Sequence, residues 1–311
     1  MRKAAVALLA LWALALPIAC GSRDSLGTIT VALYPGSEQE ALGQLTRLVL
    51  EDRGYVVQER SYESLSTALS AVERTESDVI WAYEWDVWHQ ALKHDVTCGG
   101  AEELHEQVAA ESVTNGVTWV SAAPCVRSGS LAIRASNLAL EDVQSISALV
   151  THVQRVNPAL VLCQSDTRCE QPGGLDTMIR YYGLELPSGS IVEDSYEGCL
   201  GRVSRGTCDV TYALNTDPTL ADMDLRLLVD DRSFFQRSYL AVALSNATFR
   251  QHPDLERTLK ELAAVLGCQT LIEVQREAMD DRTSAAQAAQ RLLEDRHVIG
   301  SRRRRPTRVW E

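Results

Sequence analysis

From Thr28 onward the chain alternates short apolar runs with longer amphipathic stretches, and that alternation restricts it to a small set of folds. Thr28–Leu33, Tyr55–Glu59 and Asp78–Tyr83 read as strands, bounded by glycine, proline or serine. Between them, Glu38–Arg53 carries Leu42, Leu45, Leu48 and Val49 at helical spacing, and Ser64–Glu73 is a second amphipathic helix. Pro35-Gly36 directly after the first strand, with Ser37 in an N-cap position, marks a strand–loop–helix unit. The pattern recurs through Val117–Val120, Leu131–Arg134, Ala159–Cys163, Ser190–Asp194, Cys208–Tyr212, Leu225–Val229 and Tyr239–Leu244, and Pro253–Ala288 is mostly helical. Strand and helix in regular alternation predict an α/β fold built on mostly parallel, doubly wound sheets.

The 311 residues exceed one compact domain and suit two lobes, each with its own core. A formal charge of -12 argues against nucleic acid or an anionic membrane as partner of the body. The folded part is more acidic still, because Arg302, Arg303, Arg304, Arg305 and Arg308 belong to a solvated basic tail. At the other end Arg2-Lys3, the apolar run Ala4–Leu16 and the small residues before Cys20 form a secretory signal. Cys20 within Ile18-Ala19-Cys20-Gly21 is similar to a bacterial lipobox, with Pro17 where leucine is usual. Two readings follow: lipidation of Cys20, which anchors the protein to a membrane, or plain signal cleavage. Export makes the other seven cysteines candidates for bridges in an oxidising compartment. Short local loops favour Cys163 with Cys169 and Cys199 with Cys208; Cys98 with Cys125 would be the third pair, leaving Cys268 odd.

Ser77–Trp88 concentrates three of the 6 tryptophans with Tyr83, at the carboxyl end of the third predicted strand. Open α/β sheets place their ligand crevice outside such strand ends, while aromatics equally serve as core, and both readings stand for Trp81, Trp85 and Trp88. Glu38 and Gln39 at a helix start read as dipole compensation, with the helix-end N–H groups as a second candidate contact. The 6 histidines show no metal spacing, and no nucleophile–base–acid set, P-loop or dinucleotide fingerprint is present. No enzyme activity, metal or cofactor is expected.

Taken in order, Ile29-Thr-Val with Ser37-Glu-Gln39, Leu50–Tyr55, Asn115–Val120 with Ala123-Pro124 and Leu131–Arg134, Pro172–Leu175 with Tyr182–Leu184, Cys208-Asp-Val with Thr216-Asp217, and Leu228–Phe235 resemble the substrate-binding proteins of glycine betaine/choline (osmoprotectant) ABC importers. The resemblance implies a two-lobed periplasmic binding protein whose lobes are joined by crossing strands and close on ligand like a hinge. Lobe 1 would span residues 28–123 and 239–300, and lobe 2 residues 124–238, after a signal (1–20) and a tether (21–27) and before a tail (301–311). The implied function is extracytoplasmic solute binding for ABC permease subunits. A ligand sensor without a transport role is the alternative.

In that family a quaternary ammonium sits among aromatic rings and an arginine pairs with the betaine carboxylate. Carried onto this chain, Tyr83 retains one cage ring, but the other cage positions fall on Gly129, Leu214 and Ser238, and the arginine position falls on Gln171. Arg127 stands where the family has a polar or acidic group. An arginine there repels trimethylammonium and attracts a carboxylate or phosphate, so the expected ligand is a small polar solute, either a quaternary amine or a carboxylate-bearing one. The resemblance points to Tyr83, Arg127, Ser37, Trp85, Ser128, Gln171, Tyr212, Asn215, Thr216 and Tyr239 as the ligand-binding set.

Overall fold

The computed structural model describes residues 25–94, 100–165, 174–280 and 282–300. Cys20, Cys98, Cys169, Gln171 and the arginine-rich tail lie outside these residues. In chain order the elements begin with β1 (Thr28–Leu33), α1 (Ser37–Arg53), β2 (Val56–Ser61), α2 (Leu65–Glu73) and β3 (Val79–Tyr83). A short α3 (Glu84–Asp86) continues as a π turn over Val87–Ala91, then α4 (Ala101–Thr114) leads to β4 (Val117–Arg127) and β5 (Gly129–Arg134). The next elements are α5 (Ile146–Arg155), β6 (Leu162–Ser165), α6 (Leu175–Tyr182), β7 (Ile191–Asp194), α7 (Tyr196–Ser204), β8 (Val210–Leu214) and β9 (Leu225–Leu227). The chain ends with β10 (Ser238–Ser245), α8 (Asn246–Gln251), α9 (Pro253–Ala263), α10 (Cys268–Met279) and α11 (Ala285–Asp295).

Two five-stranded sheets organise these elements, in the orders β2-β1-β3-β10-β4 and β7-β6-β8-β5-β9. Each sheet is covered on both faces. In the first, Leu42, Leu45 and Val49 of α1 and Leu255, Leu259 and Leu262 of α9 close one side, and Leu69 of α2 and Leu104 and Val108 of α4 the other. The second sheet is filled by Ile146, Leu149 and Met178 on one face and by Leu200 and Val203 on the other. Two-sided burial explains the near-continuous apolar strands, with Val79–Tyr83 buried throughout.

The sheets are mixed where alternation alone predicts mostly parallel strands. β1 pairs in parallel with β2 and β3, and β6 with β7 and β8. β10, however, runs antiparallel to both β3 and β4, and β5 antiparallel to β8 and β9. The reason is connectivity. β4 passes into β5 across Ser128, and the chain returns at Ser238 into the first sheet, so the crossing segments enter against the parallel strands.

Local signals are partly as expected. Ser64 caps α2 through a capping box with Thr67, and Gly54 ends α1 in the left-handed region at φ 101°. Ser37, by contrast, is not an N-cap: Gly36 holds that position, and the Ser37 hydroxyl donates to Gln275 Oε1 at 3.2 Å.

The cysteine pairing corrects the sequence expectation. Cys125 bonds Cys268, 143 residues away, and Cys163 bonds Cys199, 36 residues away. Cys208 is a buried free thiol. The expected pairs Cys163–Cys169, Cys199–Cys208 and Cys98–Cys125, with Cys268 odd, are therefore overturned. Proximity in sequence was the wrong measure: β6 carries Cys163 against α7, which carries Cys199, and the start of α10 brings Cys268 against β4.

Candidate functional site

The carboxyl ends of β1 and β3 open on the same edge of the first sheet, as parallel neighbours must. Tyr34 follows β1, Glu38 lies in the first turn of α1, Tyr83 ends β3, and Asp86 closes α3. Antiparallel pairing brings β4 and β10 to that edge, with Leu240 opposite Tyr83 and Ser238 opposite Arg127. In the second sheet Gly129 begins β5 opposite Leu214 at the end of β8, so Asn215 and Thr216 emerge at the crossing.

Arg127 lies at the centre of the resulting cluster. Its guanidinium stands over the Tyr83 ring, 3.7 Å from the centroid, and its Nη2 pairs with Asp86 Oδ2. Only 14% of the Arg127 side chain is exposed, so the cation–π contact and the ion pair are both largely desolvated. Burial works against the Arg127 charge, but Asp86, Tyr83 and Glu38 more than offset it and raise its pKa further. Among the described residues no acceptor engages Nε or Nη1, which leaves part of the fork open.

Glu38 faces the same point. Its Oε1 is sealed from solvent without a hydrogen-bond partner. Burial raises its pKa, while Tyr83 and Arg127 pull it down and Asp86 pushes it up. Tyr83 is itself buried, with its hydroxyl 3.8 Å from Cys125 Sγ. Burial and Glu38 hold the Tyr83 phenol neutral; Arg127 and a hydrogen bond with Thr216, just beyond β8, act the other way. Tyr34 is kept protonated by burial first and by Asp86 next, against the opposing Arg127 charge. The cluster thus holds one fixed cation, two carboxyl groups and two neutral phenols.

The other expected site residues divide clearly. Thr216 is buried and reaches Tyr83. Tyr212 turns its ring into the space left by Gly129, where an added Cβ would lie 2.6 Å from the Tyr212 Oη. Its ring also packs against Phe235, 5.6 Å between centroids. Ser128 and Asn215 hold the crossing together: Ser128 N–H donates to Asn215 Oδ1 at 2.9 Å, and Asn215 Nδ2 donates to the Val126 carbonyl at 3.0 Å. Asp217 stabilises the following turn, accepting from the Thr219 backbone at 2.8 Å and from the Tyr196 hydroxyl at 2.7 Å.

Three expected contacts are engaged elsewhere. Tyr239 donates to Glu102 at 2.8 Å, Trp85 stacks on His89 at 5.7 Å, and Ser37 is held by Gln275. Trp85 still fixes the site through its backbone, donating its N–H to Ser238 Oγ at 2.8 Å. Trp81 is core, its indole donating to Thr46 Oγ1 at 2.8 Å, and Trp88 stacks on His94 at 3.8 Å. Glu38 and Asp86 are charged groups of this cluster that the expected binding set left out. Their signal was position: each lies within five residues of the carboxyl end of a parallel strand.

The chain is similar to a glycine-betaine-binding protein of Pseudomonas aeruginosa, 20% identical over 270 residues that cover 85% of this chain and 86% of that one. Its fold matches a solved glycine betaine/carnitine/choline ABC transporter protein with a TM-score of 0.76 at 17% identity, covering 87% of this chain and 99% of that one. Apo YehZ from Escherichia coli matches with a TM-score of 0.72 at 19% identity, with the same coverage of 87% and 99%. These likenesses establish the two-lobed binding-protein fold. Residues 27–295 match OpuAC, described as the substrate binding domain of ABC-type glycine betaine transport system, so this chain belongs to that family and is an extracytoplasmic solute-binding protein of an ABC importer.

Proposed function

We propose that the interlobe cleft binds a small polar solute through Arg127 and excludes quaternary ammonium ions. Lobe 1 then corresponds to the sheet containing β1 and β10, lobe 2 to the sheet containing β5 and β8, and closure brings Thr216 onto Tyr83. The observation that carries the reading is the guanidinium 3.7 Å over Tyr83. A trimethylammonium group needs an aromatic face, and this one already holds a cation that the fold supplies. Displacing it forfeits a desolvated cation–π contact of about 2 kcal/mol and leaves Asp86 without its partner. The open Nε and Nη1 donors suit a carboxylate, which Arg engages through its planar fork.

An anchor through lipidated Cys20 and delivery to ABC permease subunits complete the proposal. Calorimetric titration of the mature protein with glycine betaine and with choline tests it. Neither is expected to bind in the micromolar range, and Arg127→Ala should gain affinity for both by uncovering Tyr83. Micromolar binding of betaine to the unaltered protein refutes the reading.

A further inference from the structure

The charges around Arg127 do not balance. Asp86 already pairs with the guanidinium, so a carboxylate ligand adds a negative charge to a site where Glu38, hydrogen-bonded by Tyr83, keeps its Oε1 without a donor. Glu38 Oε1 has no donor although it is shut off from water, and such a group costs stability unless something binds it. The groups that face it are Tyr34 from the end of β1, Tyr83 from β3, Asp86 from α3 and Arg127 from β4. None satisfies Oε1 in this structure.

We infer that Glu38 is the receptor for an N–H-bearing ammonium group, so that the natural solute is a zwitterion with a primary, secondary or tertiary ammonium beside its carboxylate. The inference rests on the anion-pairing reading of Arg127. Its chemistry differs from that of an aromatic cage. A quaternary nitrogen has no hydrogen to donate and is held by π faces, whereas an ammonium with N–H donates to a carboxylate. By the resemblance Leu214 and Ser238 stand where rings would, Gly129 makes room for the Tyr212 ring, and a sealed carboxylate oxygen lies beside Tyr83. Sites built to hydrogen-bond a ligand N–H reject the analogue without it strongly, because the buried acceptor is then stranded.

The probes are glycine, N-methylglycine, N,N-dimethylglycine and glycine betaine, which lose N–H donors one at a time, together with acetate, which has no nitrogen. Each is titrated calorimetrically into the mature protein and into Glu38→Gln, with thermal melts confirming that the variant folds. The expected result is a drop of tenfold or more between dimethylglycine and betaine in the unaltered protein, and a shallower series in Glu38→Gln. Acetate binding as tightly as glycine, a series unchanged by Glu38→Gln, or no binding by any probe overturns the Glu38 assignment. If acetate alone binds, the Arg127 reading survives; if betaine binds tightest, both fall.

Discussion

The Cys125–Cys268 bridge is the clearest place to turn the fold into a number. The perturbation is the double substitution Cys125→Ala with Cys268→Ala, which leaves no odd thiol at this site. If the whole chain unfolds at once, the bridge closes a loop of 143 residues, and chain entropy gives about 5 kcal/mol. That loop, however, encloses the entire second lobe. If that lobe stays folded while the first unfolds, the β4–β5 and lobe 2–β10 crossings remain close together and the free loop shrinks to roughly 35 residues, worth about 4 kcal/mol. Among the described residues, the Arg276–Asp222 ion pair between the lobes is exposed, Asn215 bonds the Val126 carbonyl at the crossing, and Tyr83 with Thr216 is a buried contact. Independent unfolding is therefore expected, with a loss of about 4 kcal/mol confined to the transition of the first lobe. The Cys163–Cys199 bridge, with its separation of 36 residues, should cost about the same when removed, but in the transition of the second lobe. Urea unfolding followed by far-ultraviolet circular dichroism, with tryptophan fluorescence reporting mainly on the first lobe, separates the two. A single transition destabilised by 5 kcal/mol or more refutes lobe independence, and a loss below about 1 kcal/mol refutes the Cys125–Cys268 bridge itself.

Other perturbations follow from the same contacts. Glu38→Gln should stabilise the ligand-free protein at neutral pH by about 1 kcal/mol, because burial raises the carboxyl pKa and ionisation opposes folding as pH climbs above 4.5; an unchanged melting temperature between pH 5 and 7 counts against a sealed Oε1. Gly129→Ala should cost about 1–3 kcal/mol by driving the Tyr212 ring from its place, and adding Tyr212→Ala should relieve part of that cost; strict additivity in the double-mutant cycle refutes the clash. Glu84 is fully buried against His105, whose pKa is raised by the Glu84 hydrogen bond in spite of partial burial. The stability this pair provides is complete below about pH 6.5 and is lost as pH rises through the folded His105 pKa, so His105→Ala should flatten the melting temperature over that window. A slope that persists in His105→Ala assigns it to another group.

Much of this fold was legible because two-sided burial writes itself as apolar strands separated by amphipathic helices, and β1, β3 and β10 appear within a residue or so of where alternation places them. Strand direction was not legible. Leu240 and Val242 have the same apolar character whichever way β10 runs, and only the route through the second lobe fixes it. The bridges failed for a related reason: sequence separation was the one available measure of distance, while pairing followed the packing of α7 on β6 and α10 on β4. At the site, the resemblance located Tyr83 and the foreign arginine but not their stacking, which depends on Ser238 lying opposite Arg127 and Leu240 opposite Tyr83. Glu38 was hidden by a sufficient explanation, since an acid in a first helical turn already satisfies the dipole. What separates it from Glu40, in the same turn, is that Glu40 faces solvent whereas Glu38 turns an unpartnered oxygen toward Tyr83. On the proposed reading, the ring positions that the resemblance places on Leu214 and Ser238 and the carboxylates beside Arg127 are one change in chemistry: fewer π faces hold a nitrogen without hydrogens less well, and two carboxyl groups beside one arginine suit a nitrogen that has them.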